Sequence, residues 1–432
     1  LARRKPSGGL QVSSLVTAET LPSGLRLVTE AMPHVRSVTV GVWLTRGSRH
    51  ESDAESGVAH FVEHMLFKGT TSRSAREIAQ AIDSIGGHLD AFTSKEYASY
   101  YVKVMDEHVP MALELLSDLV MRPALAPSDV EREQSVILEE IKMVEDAPDD
   151  LVHELFAQQF WSRHPLGRPI LGTPATVASF RSAGLRAYFD ETYVAPNLIV
   201  AAAGRLEHAG VRALVERAFA DLPKRAPGRP VEPPVVTPGV STRQKDIEQS
   251  HICIGTPAYG QTHPDRYATY VLNTILGGSM SSRLFQHIRE DRGLAYAVFS
   301  NLSAFSDAGM MTIYAGCAPD KVNEVVDVTL AELRELRETP VPADELARAR
   351  DHLKGSLMLS LESTSSRMSN LARQEIYFGR HFTLDEVLSS IERVTADDVQ
   401  RVASDFFRDG SVVATIVGPS PASPLSVEQL RV

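Results

Sequence analysis

Six prolines crowd the stretch Leu222–Thr242, "LPKRAPGRPVEPPVVTPGVST". Helix interiors and central strands do not accept residues lacking an N–H at this density, so the stretch is expected to run as an extended connector. The fold must then be assembled from a part before it, residues 1–221, and a part after the connector (222–243), residues 244–432. A chain of 432 residues also exceeds what one hydrophobic core usually fills, so two or more domains are expected from length alone.

The two parts read as distant copies of one another. Each opens with β-type alternation, "SVTVGVWLTRGSRHE" against "DIEQSHICIGTPAYG", followed by a helix, "GVAHFVEHMLFKG" against "YATYVLNTILGG". Strand pairs come next, in "HLDAFTSKEYASYYVKV" and "AYAVFSNLSAFSDAGMMTIYAGC". A long amphipathic helix then precedes a second helix that starts after a proline, "PSDVEREQSVILEEIKMV" against "PADELARARDHLKGSLML". Blocks of hairpins and helices of this kind predict an α+β class: two homologous α/β sandwich domains of mixed, largely antiparallel sheet with helices packed on it.

Composition narrows the function classes. Apolar residues make up 43% and charged residues 23%, ordinary for a soluble globular protein, and no apolar run is long enough for a membrane span. A net charge of −11 weighs against nucleic-acid binding and favours cationic partners. The basic start "LARRKPSGGLQ" lacks the apolar stretch of a secretory signal, so a cytoplasmic protein is expected; the start at Leu1 rather than Met is read as trimming. Cys253 and Cys317 lie in apolar, strand-like surroundings and are expected to be reduced core residues. "LNTILGGSMSSRLF" is glycine-containing but lacks the order of a phosphate-binding loop.

"GVAHFVEHMLFKGT", residues 57–70, places two histidines and a glutamate within five positions. On a helix, His60, Glu63 and His64 fall within an arc of about 100°. Two imidazoles four residues apart can share one cation, with Glu63 between them, and Val58, Phe61, Val62, Met65, Leu66 and Phe67 would bury the rest of the helix. Two histidines hold zinc poorly without a third ligand. "VEREQSVILEEIKMVEDAPDD" offers Glu133 and Glu140 on one helix face, two turns apart. Glu140 could ligate, and Glu133 could orient a histidine through its second ring nitrogen; a solvated charged helix is the competing reading. In the second copy Thr269, Leu272 and Asn273 occupy the places of His60, Glu63 and His64, so one metal site per chain is expected, in the first half.

These residues resemble the pitrilysin-type, inverted-zincin metallopeptidases, and most closely their mitochondrial-processing-peptidase-like branch. The resemblance covers nearly the whole chain and is carried by "HFVEHMLFKGT", "GGHLDAFTSKEYASYY", "VILEEIKMVEDAPDD", "HPLGRPILGTPATV" and "GGSMSSRLFQHIREDRGLAYAVFS". It implies that His60, His64 and Glu140 bind one Zn2+ and that Glu63 is the general base taking a proton from the attacking water. It further implies peptide substrates held as an extended strand along a sheet edge in "AFTSKEYASYYVKV", with Asp90 and Phe92 as substrate contacts and Phe67 lining a pocket. Asp90 stands where such peptidases often carry Asn. Asp150 and Glu154 match, in swapped order, an acidic pair that recognises a basic side chain. Arg289 and Tyr296 match a pair that binds the reacting carbonyl from the facing domain. Longer one-chain relatives use four such domains, so this two-domain chain is expected to form a homodimer and to deliver Arg289 and Tyr296 to the partner's zinc. The function expected is therefore a zinc endopeptidase, with a non-catalytic chamber or scaffolding subunit of the same fold as the alternative.

Overall fold

The run "SVTVGVWL" has no polar face, and it is buried nearly throughout as the central strand of its sheet, β3 (Ser37–Leu44). In the computed structural model, which describes residues 15–224, 231–419 and 424–432, each half of the chain builds one sheet. The basic start Leu1–Gln11 and residues 225–230 of the proline-rich stretch lie outside the described residues.

The first sheet comprises β1 (Val16–Thr20), β2 (Arg26–Ala31), β3, β4 (His88–Thr93), β5 (Ala98–Met105) and β6 (Leu198–Gly204), in the order β1-β2-β6-β3-β5-β4. The second comprises β7 (Gly239–Gln244), β8 (Ser250–Ala258), β9 (Ala295–Ala304), β10 (Gly309–Cys317) and β11 (Val413–Gly418), in the order β7-β11-β8-β10-β9. Apart from β1, which has no counterpart in the second sheet, their pairings match strand for strand. Only β2–β6 and β7–β11 are parallel, and Val40 opposite Val102 and Ala202 in one sheet is repeated by Ile254 opposite Ile313 and Ala414 in the other. The connector ends short of the expected residue 243, because Gly239–Gln244, just past its last proline, already pairs as β7 on the edge of the second sheet.

The helices of the first half are α1 (Val58–Leu66), α2 (Ala75–Asp83), α3 (Val109–Met121), α4 (Pro127–Asp146), α5 (Pro148–Phe160), α6 (Pro174–Ser179), α7 (Ser182–Thr192) and α8 (His208–Ala218). Those of the second are α9 (Arg266–Leu276), α10 (Val322–Glu338), α11 (Ala343–Ser360), α12 (Thr364–Phe378), α13 (Leu384–Glu392) and α14 (Ala396–Phe406). The duplicated sequence does not anticipate how two of them pack. Helix α5, from the first half, lays Val152, Phe156 and Phe160 on the second sheet, against Cys253, Tyr314, Val413 and Val417. Helix α12, from the second half, lays Met368, Leu371 and Ala372 on the first sheet, against Val28, Trp43, Ile199 and Ala201. Each half thus has its own core between sheet and helices, while the opposite face of each sheet is covered by its sibling. Cys253 and Cys317 are free and buried, as expected. Among the described residues, no helix is long and apolar enough to cross a membrane.

Candidate metal centre

Helix α1 starts where Gly57 takes a left-handed conformation, φ 94°, that a side chain resists. A Cβ there would also lie 2.7 Å from Leu171 O, so glycine lets the loop before α6 close over the helix start. The orphan N–H groups of Gly57 and Ala59 both donate to Glu51, at 2.8 Å each, so this buried carboxylate caps the helix. Val58, Phe61, Val62, Met65 and Leu66 anchor α1 in the core. That leaves His60 and His64 turned toward α4 and Glu63 turned toward the end of β4.

There the ligand atoms of His60, His64 and Glu140 lie within 4.8 Å of one another. His60 Nε2 is 3.8 Å from Glu140 Oε2, and His64 Nε2 is 3.6 Å from Glu140 Oε1. These separations are too long for hydrogen bonds and within a few tenths of the ~3.4 Å between two ligands of one tetrahedral zinc. Burial, and secondarily the neighbouring His64, depress the His60 pKa to about 3, so this imidazole is neutral, the form that donates a lone pair. The donor set of two imidazoles and one carboxylate, leaving further positions open, suits catalytic zinc. Glu133, 4% exposed, accepts from His64 Nδ1 at 3.1 Å, whereas His60 Nδ1 is buried with no hydrogen-bond partner among the described residues.

Glu63 lies beside this cluster and accepts a hydrogen bond from the Thr93 hydroxyl at the end of β4. Burial raises its pKa, and the Thr93 bond partly offsets this. Among the described residues, strand β4 has no neighbour on its outer side, so an unpaired backbone edge runs up to the group that holds Glu63. The expected edge segment is narrower than read: only its β4 part is free, since β5 is paired on both sides.

The other expected contacts divide. Phe67 caps the end of α1 and packs, half-buried, against the first core. Along β4 the side chains of Leu89 and Ala91 join that core, while Asp90 and Phe92 project from the opposite face. Asp90 Oδ2 accepts from the Tyr101 hydroxyl at 2.9 Å, and Phe92 packs edge-on against Trp43. Asp150 is exposed on α5, and Glu154 one turn later is half-buried. Burial raises the Glu154 pKa, Lys95 lowers it, and its Oε2 has no hydrogen-bond partner among the described residues. Arg289 and Tyr296 are brought together with each other, the guanidinium 4.7 Å from the ring centroid. Among the described residues, neither forms a hydrogen bond or ion pair with the His60–His64–Glu140 cluster of its own chain, and Tyr296 is 79% exposed. Sequence reading missed Glu51, Lys68 and Thr93. Thr93 and Lys68 lie inside quoted motifs, but nothing in their spacing shows that they reach Glu63 and Glu133.

Residues 26–174 match the family described as "Insulinase (Peptidase family M16)", and residues 179–353 match "Peptidase M16 inactive domain". An uncharacterized zinc protease of Bacillus subtilis is 41% identical over 95% of this chain and 100% of its own length. An uncharacterized zinc protease of Mycobacterium tuberculosis is 42% identical over 95% of each chain. Among solved structures, a protease from Helicobacter pylori superposes with a TM-score of 0.88 at 22% identity, over 94% of this chain and 99% of its own. A peptidase M16 inactive domain from Pseudomonas fluorescens gives 0.89 at 20% identity, over 95% and 100%. With a full-length relative at this identity and both family descriptions matched in order, the chain belongs to peptidase family M16.

Proposed function

We propose that this chain is a zinc-dependent endopeptidase acting on unfolded or extended peptides. The observation that carries the reading is the convergence of His60, His64 and Glu140 beside Glu63, at the end of the unpaired edge of β4. A zinc ion held there supplies Lewis acidity that activates water and polarises a peptide carbonyl. Strand β4 would take the substrate backbone by strand addition, which selects extended chains over folded ones. Glu63, with one oxygen engaged by Thr93, keeps the other free to accept the proton of the attacking water and pass it to the leaving amine. Glu154, with its unpartnered oxygen near Asp150, would receive a basic substrate side chain. The "inactive domain" description falls mainly on the half where Thr269, Leu272 and Asn273 stand in the ligand positions, which fits one zinc per chain. Two copies would pair, so that the exposed Tyr296 and its neighbour Arg289 reach the reacting carbonyl of the other copy.

Peptide cleavage is expected to stop with a chelator and return with zinc. Glu63→Gln should retain zinc and lose at least a hundredfold in kcat, because Gln keeps the size but not the basic lone pair. Glu140→Gln should lose zinc, read by elemental analysis. Chelator-resistant cleavage would refute the reading, and so would near-normal cleavage by Glu63→Gln.

A further inference from the structure

We propose that Lys68 is a positioning residue for the metal centre, acting through Glu133 on His64. The inference rests on the zinc reading above. Lys68 follows α1 by two residues, in a turn closed by its N–H donating to Met65 O at 3.1 Å, and so lies four residues beyond His64. Its Nζ is 2.7 Å from Glu133 Oε1, while Glu133 Oε2 accepts from His64 Nδ1 at 3.1 Å. Both oxygens of a buried carboxylate are thereby committed, one to each end of a chain running ammonium, carboxylate, imidazole. With its proton held on Nδ1, His64 presents its lone pair from Nε2, the atom that faces Glu140. His60 is the contrast: its Nδ1 is buried with no hydrogen-bond partner among the described residues, so no such bond fixes that ring. Of the two imidazoles, His64 has its tautomer and ring plane set by hydrogen bonding. The ammonium of Lys68 is what keeps Glu133 from rotating away, and without it His64 is the ligand that loosens.

The test is the apparent zinc affinity of the full chain, measured by competition with a chromophoric chelator, alongside the unfolding midpoint of the metal-free protein. Lys68→Met is expected to bind zinc about tenfold more weakly, the lower end of what loss of an outer partner costs a metal site. Lys68→Arg, which restores the cation, should recover most of that loss. In a Glu133→Gln background Lys68→Met should have no further effect on affinity, because the route through the carboxylate is already broken. A Lys68→Met protein with a lowered midpoint but wild-type zinc affinity would make Lys68 a structural tether and overturn the proposal. An undiminished tenfold effect in the Glu133→Gln background would overturn the route through Glu133. Wild-type protein that takes up no zinc would refute the zinc reading and the inference with it.

Discussion

Glu51 bears on the proposed metal centre through the start of the helix that carries it. Its carboxylate closes the first turn of α1, the helix that carries His60 and His64, and burial pushes its pKa from the ordinary 4.5 to about 7, against the opposing pull of the two N–H donors. An acid whose folded-state pKa is raised contributes stability that is fully present below its unfolded pKa and lost as pH rises through the folded one. The unfolding free energy of wild type relative to Glu51→Gln should therefore fall between pH 4.5 and 7, by on the order of 3 kcal/mol for a shift of this size. Urea titrations of both metal-free proteins across that window check this. A difference that stays constant with pH would mean that Glu51 is ionised throughout and caps as a carboxylate.

The exchange of α5 and α12 is written into the central strands as a glycine at the same register. A Cβ on Gly41 of β3 would sit 2.7 Å from the Met368 sulfur of α12, and one on Gly255 of β8 would sit 2.6 Å from the Phe156 ring of α5. Each glycine opens the sheet surface for one large side chain of the other half's helix. Met368 is 1% exposed, and its sulfur accepts from Trp43 Nε1 at 3.1 Å. Met368→Ala should cost about 2–5 kcal/mol, read from denaturant unfolding followed by Trp fluorescence. Gly41→Ala by itself should also destabilise, through overpacking, by about 1–3 kcal/mol. The double variant should cost less than the sum, since the added methyl enters the space that Met368 vacates. Strict additivity would show that the glycine and the methionine do not share one packing contact.

The two halves are also locked by charge. Arg49, 3% exposed, donates to Glu96 at 2.7 Å within the first half and to both oxygens of Asp307, in the β9–β10 turn of the second. Glu96 accepts in turn from the Ser306 N–H and hydroxyl and from the Tyr377 hydroxyl of α12. Asp307→Ala leaves the buried guanidinium half-paired. The expected cost is about 2–3 kcal/mol in urea unfolding, below the usual range for breaking a buried pair because Asp307 is itself partly exposed. Assembly of two chains makes a separate prediction. Mixing inactive Glu63→Gln with inactive Tyr296→Phe should restore peptide cleavage as subunits exchange, because the proposed trans arrangement would give a mixed dimer one site with Glu63 from one copy and Tyr296 from the other. Proven heterodimers without recovered activity would rule out the trans arrangement.

The metal-ligand pattern and the duplication are both local signals, and both are legible in the chain. Two histidines four apart with a glutamate between them share a helix face wherever that helix forms, and the valine-rich run "SVTVGVWL" has the β-branched content of a buried strand. The repeat likewise shows which half lacks the His60, Glu63 and His64 pattern. The spacing from Glu133 to Glu140 shows only that they share a face; that this face meets α1 depends on how α4 packs. The exchange of α5 and α12 was not legible, because an amphipathic helix carries the same apolar stripe whichever sheet it covers. Which sheet it meets is set by the path of the chain and by the cavity over Gly41 or Gly255. Thr93, Lys68 and Glu51 escaped for the same reason. Hydroxyl, ammonium and carboxylate groups are common on surfaces, and their roles here come from neighbours brought close by folding: Glu63 thirty positions away, Glu133 on another helix, and the N–H groups that start α1.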